Sequence, residues 1–190
     1  MNLPNQLTAS RFVFTALFLC AVFWPFPFHD SLAMLFFGVA SFTDYLDGRI
    51  ARSRGLITNF GTLMDPLADK VLTCAAFIAL VEQHKVQGWM AVIIVSRELA
   101  ITGLRLLAAS KQRVLAAEGY GKHKTISQMV AILALLIVNA HDEWGPWASA
   151  YIRPWLPWFA NVALWLTVVL TFTSGVLYLW RNRGLYLRDI

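Results

Sequence analysis

Cysteine and charge are both scarce in this chain, and each scarcity removes a class of protein. Only two cysteines occur in 190 residues, Cys20 and Cys74, both within apolar segments and with no ligand spacing around them. A disulfide scaffold and a thiolate metal site are therefore not expected. Charged residues make up 14% of the chain and hydrophobic residues 58%, against about 25% and about 45–50% in soluble domains. An ordinary soluble domain is excluded. The sequence also lacks internal repeats, low-complexity tracts and flexible linkers, so residues 1–190 read as a single membrane domain. The first apolar run, Phe12 to Phe28, ends in Trp24-Pro25-Phe26-Pro27 rather than in a small-residue cleavage site. It is expected to stay as a spanning helix, not to leave as a signal peptide.

What the chain has in abundance is long apolar runs, with a mean hydropathy of +0.57. Runs of roughly 17–25 apolar residues suit a bilayer crossing. Six candidates follow: Thr8–Trp24, Ser31–Asp47, Asp65–Gln83, Trp89–Ala109, Thr125–Ala140 and Trp158–Trp180. Seven of the eight tryptophans, at 24, 89, 144, 147, 155, 158 and 180, fall near run ends, where amphipathic rings favour the membrane interface. The expected fold is an all-α integral membrane protein, a six-helix bundle. It is preceded by a short interfacial segment at Asn2–Thr8, with Asn5 or Thr8 as a helix cap.

The basic residues orient the bundle. Thirteen of sixteen fall on one side: Arg11; Arg49, Arg52, Arg54 and Lys70; Arg105, Lys111, Arg113, Lys122 and Lys124; Arg181, Arg183 and Arg188. The other side holds only Lys85 and Arg153, and Arg97 lies inside a span. By the positive-inside rule, both termini and the two long loops are cytoplasmic. No nucleic-acid partner is expected.

Four of the eleven acids gather at that cytoplasmic boundary: Asp44 and Asp47 at the end of the second span, Asp65 and Asp69 at the start of the third. Spacings of three and four put each pair on one helix face. Four carboxylates converging near lipid cannot all stay ionised without cations. Two divalent ions would balance them, and oxygen-only ligands favour Mg²⁺ or Mn²⁺ over zinc, with calcium still possible by ligand type. Such an ion pair clamps the attacking and leaving oxygens of a phosphoryl transfer. Gly48 and Gly61 leave room for a diphosphate, and Arg52 offers a planar donor fork.

These residues form the pattern D-x2-D-G-x2-A-R-x8-G-x3-D-x3-D, at Asp44, Asp47, Gly48, Ala51, Arg52, Gly61, Asp65 and Asp69. At average residue frequencies it would arise by chance on the order of once in 10¹⁰ starting positions. The pattern resembles that of the CDP-alcohol phosphotransferase family. The resemblance extends to Asn2-Leu3-Pro4-Asn5-Gln6-Leu7-Thr8, Asp65-Pro66-Leu67-Ala68-Asp69-Lys70, Arg97-Glu98 with Leu104-Arg105, and Gly121-Lys122-His123-Lys124-Thr125. In these stretches the chain is similar to the family's bacterial phosphatidylglycerophosphate synthase branch.

That resemblance implies a homodimeric six-helix enzyme of the bacterial inner membrane, with its di-metal site open to the cytoplasm. It implies that the four aspartates hold the metals and that Asp69 is the general base. The donor would be CDP-diacylglycerol, gripped by Asp47, Gly48, Ala51, Arg52, Gly61 and Asp65. The acceptor would be glycerol 3-phosphate, its phosphate near Arg105, Lys122 and Lys124. Arg97 and Glu98, charged and inside the fourth span, must face the bundle or a wet cavity, and they divide between a structural ion pair with another helix and a role in acceptor binding. Other acceptors would make the chain a cardiolipin, phosphatidylinositol phosphate or phosphatidylserine synthase. A divalent-cation transporter would need acids deep in several spans and an opening on both sides, whereas these acids sit at one membrane face. The Trp- and Pro-rich stretch His141–Trp158 is expected to be an interfacial cap remote from the chemistry.

Overall fold

The computed structural model describes residues 3–54, 59–110 and 120–186; within these, the side chains of 3–8, 44–54, 59–66, 69, 110, 120–123 and 186 are not described. Every regular element among the described residues is helical. Six are long: α1 (Leu3–Phe23), α2 (His29–Arg54), α3 (Asn59–Glu82), α4 (Gly88–Ser110), α5 (Tyr120–Ala140) and α7 (Leu156–Arg181). A 3₁₀ turn at His141–Trp144 and the short α6 (Pro146–Ile152) join α5 to α7, and α8 (Arg183–Tyr186) follows. Among the described residues, Lys124–Trp144, which is α5 carried on into the 3₁₀ turn, and α7 are long and apolar enough to cross a membrane, while the apolar part of α1, Ala9–Phe23, is shorter.

Contacts order the long helices into a ring. α1 packs on α2 and α3, α2 on α5, α5 on α7, α7 on α4, and α4 on α3. Phe18, Phe37, Leu72, Phe77, Leu80, Ile94, Ile132 and Leu136 fill the centre and are almost wholly buried. Tryptophans 24, 89, 147, 155, 158 and 180 are exposed, as are Val162, Leu166, Val169 and Phe172 along α7. An exposed apolar helix face suits lipid rather than water.

One expectation is corrected at the start of the chain. Helix α1 already runs from Leu3, so Asn5 and Thr8 lie inside it and neither is a cap. Pro4, in the first turn, is no obstacle, because the first four amides of a helix have no partner within it.

The turns opposite the aspartate pattern are sharply built. At the end of α3, His84 takes a left-handed backbone (φ 58°). The Lys85 amide donates to Leu80 O at 2.9 Å and the His84 amide to Val81 O at 3.0 Å. This closes α3 with a left-handed C-terminal turn of the kind glycine usually supplies.

Candidate active site at the aspartate-bearing end of the bundle

Helix packing explains why the aspartate pattern stands where it does. On α2 the buried positions are Ala33, Phe37 and Ala40, spaced four and three. Asp44, Asp47 and Ala51 continue that spacing on the same helix. On α3, Thr73, Ala76 and Leu80 are buried, and steps of four back from Thr73 reach Asp69 and Asp65. The whole pattern thus occupies two helices that touch each other, each acid at a position that extends a buried stripe. The side chains of Asp44, Asp47, Gly48, Ala51, Arg52, Gly61, Asp65, Asp69 and Lys122 lie outside the described residues. The helical register and the oxygen-donor set fit divalent ions; the register is what the structure adds.

Immediately beyond Asp69 the described side chains converge on one carboxylate. Glu98, on the buried stripe of α4, is 7% exposed. Its Oε1 pairs with the Lys124 ammonium of α5, accepts from Arg97 Nη1 at 3.3 Å and lies 3.5 Å from Gln128 Nε2. Its Oε2 is 3.8 Å from Lys70 Nζ of α3. Lys70 also donates to the Thr102 hydroxyl and to the Glu98 carbonyl at 3.3 Å. Lys124 and Gln128, four apart on α5, present one face to this carboxylate, so α3, α4 and α5 are tied together through a single residue. An unpaired charge at this depth costs about 2.5–3.5 kcal/mol on insertion scales, which the pairing offsets.

The predicted acceptor residues therefore separate. Arg97 and Lys124 meet at Glu98, and Lys124 is 4% exposed. Arg105 lies two turns further along α4, exposed, its Nε 3.4 Å from the Tyr178 hydroxyl and its guanidinium 5.9 Å from that ring's centre. Arg97 packs closely on α7: a Cβ on Gly175 would come 2.8 Å from Arg97 Cγ, so only glycine fits there. The two helices also border an apolar groove of about 300 Å³ lined by Arg97, Ile101, Thr171 and Gly175, among others. Of the two roles the sequence left open for Arg97 and Glu98, the structure shows the ion pair with other helices, Glu98 reaching Lys70 on α3 and Lys124 on α5. Lys70 and Arg11 were read as topology, yet Lys70 joins the Glu98 cluster and Arg11 is fully buried.

At the opposite end of the bundle, Glu143 of the 3₁₀ turn caps α2. Its carboxylate accepts the Asp30 amide at 3.1 Å, the Ser31 amide at 2.9 Å and the Ser31 hydroxyl, and Trp144 Nε1 donates to Ser31 Oγ at 2.8 Å. Burial raises the Asp30 carboxyl above its ordinary value, and nearby Glu143 adds to the rise. Among the described residues, His29, Asp30 and Glu143 place possible ligand atoms within 4.8 Å of one another, close enough to hold a metal ion. Both Glu143 oxygens are already engaged in the cap.

The sequence model of the CDP-alcohol phosphatidyltransferase family matches residues 1–176. The chain belongs to that family. It is 39% identical to the CDP-diacylglycerol–glycerol-3-phosphate 3-phosphatidyltransferase of Bacillus subtilis (strain 168), over 95% of each chain. To the probable phosphatidylglycerophosphate synthase of Mycobacterium tuberculosis it is 36% identical, over 100% of this chain and 83% of that one. To the CDP-diacylglycerol–glycerol-3-phosphate 3-phosphatidyltransferase of Haemophilus influenzae it is 32% identical, over 100% of this chain and 97% of that protein.

Proposed function

We propose that this protein transfers the phosphatidyl group of CDP-diacylglycerol to glycerol 3-phosphate, releasing CMP and phosphatidylglycerophosphate. The observation that carries the reading is the complete eight-residue pattern lying on two touching helices, in register with their buried stripes. The names of the family members above select the acceptor.

In this reading all six long helices cross the bacterial inner membrane, and the aspartate end faces the cytoplasm. The chain works as a homodimer. Asp44, Asp47, Asp65 and Asp69 would hold two Mg²⁺ or Mn²⁺ ions, which supply positive charge against the diphosphate and the developing charge of the transfer. Gly48, Ala51, Arg52 and Gly61 border the donor's diphosphate. Asp69 takes the proton of the attacking glycerol hydroxyl, whose oxygen bonds to the phosphatidyl phosphorus as the bond to CMP breaks. Arg105, Lys122, Lys124 and Arg97 supply cations for the acceptor's phosphate.

The test is CMP release by purified protein given CDP-diacylglycerol, Mg²⁺ and competing acceptors. Glycerol 3-phosphate should outcompete phosphatidylglycerol, inositol phosphate and serine. Preference for one of the others would leave the donor reading standing and overturn the acceptor.

A further inference from the structure

The Glu98 carboxylate is met by four side chains. An ionised carboxylate offers about four acceptor positions. Glu98 has Lys124, Arg97 and Gln128 at Oε1 and Lys70 at Oε2. With Oε1 shared by three donors and Oε2 facing the Lys70 ammonium, the carboxylate fixes the groups around it. Those groups come from three helices, and two of them border the proposed chemistry. Lys70 directly follows Asp69 on α3. Lys124 is among the cations proposed to meet the acceptor's phosphate.

We infer that Glu98 is a positioning residue for the transfer: it gathers Lys70 and Lys124 and fixes where the ammonium group of Lys124 stands toward an anionic acceptor. This rests on the function proposed above. Positively charged side chains this close repel one another, and a central anion is what lets them share one buried place. Thr102, one turn along α4 from Glu98, accepts from Lys70 and returns its own hydroxyl hydrogen to the Glu98 carbonyl at 2.7 Å. The same turn of α4 thus fixes both ends of the Lys70 contact.

The experiment uses full-length protein in mixed micelles with Mg²⁺, comparing wild type with Glu98→Gln and Glu98→Asp. Glu98→Gln keeps the shape and removes the charge. It should raise the KM for glycerol 3-phosphate at least about tenfold, the scale of one charge-assisted contact, and leave the KM for CDP-diacylglycerol within about twofold. Glu98→Asp, which restores the charge on a shorter stem, should recover part of the loss. An unchanged acceptor KM in Glu98→Gln would overturn the inference. So would a parallel rise of both KM values with a lower melting temperature, the mark of a purely structural role.

A second readout does not depend on turnover. Acetylation of Lys124 and Lys70 by an amine reagent, followed by mass spectrometry, should be several-fold faster in Glu98→Gln than in wild type, and equal rates would contradict the inference. Wild-type protein that releases no CMP with glycerol 3-phosphate would strike only the acceptor reading, and the labelling would still decide whether Glu98 holds the lysines.

Discussion

Two buried or half-buried carboxylates at different depths of the bundle solve the same problem in opposite ways. Glu143 meets backbone amides: it accepts from the first residues of α2 and from the Ser31 hydroxyl, donors that every helix start provides. Glu98 meets side-chain charges from three helices. The first arrangement needs only a nearby helix terminus, whereas the second needs cations brought in deliberately at an energetic risk. A bundle that needed stability alone would be expected to use devices of the first kind, and the second stands beside the end where the transfer is proposed.

The sharpest way to use that contrast is to delete one acid at a time. Asp69→Asn should lower turnover by about 10²–10⁴-fold, the range of a lost general base, while donor binding persists; full activity would remove Asp69 from that role. Next in size is Glu98→Ala, which leaves buried cations without their anion. It should destabilise the protein by about 3–5 kcal/mol, read as the shift of an unfolding midpoint in detergent.

Gly175→Ala should follow, at about 1–3 kcal/mol, because the added methyl meets the Arg97 stem 2.8 Å away. The smallest effect belongs to Glu143→Ala, about 1 kcal/mol for a lost helix cap, with catalytic constants unchanged. A Glu143 variant that cost as much as Glu98→Ala would erase the distinction between the two ends.

Much of this was legible before any coordinates. The spacings of Asp44 with Asp47 and of Asp65 with Asp69 called for helices, and both stretches are helical because the apolar registers of α2 and α3 run through them. Six exposed tryptophans likewise stand near the ends of the apolar runs, while Trp165, also exposed, lies mid-way along α7. The start of α1 was misplaced because Asn5 and Thr8 are good cap residues, yet the helix reaches back through Pro4, which the first turn tolerates. The Glu143 cap joins residues 112 apart in sequence, and no local pattern announces such a pair. Lys124 was expected at an open mouth. Its place beside Glu98 is set by how α4 and α5 pack, which periodicity does not encode.

The central claim is that the aspartates of α2 and α3 carry a metal-dependent transfer, and the most direct measurement is a Mg²⁺ titration of metal-free purified protein with CDP-diacylglycerol and glycerol 3-phosphate. CMP and phosphatidylglycerophosphate should appear in equal amounts, rise together with Mg²⁺ and stop on chelation. CMP formed at the same rate without Mg²⁺, or formed without the lipid product, would contradict the account.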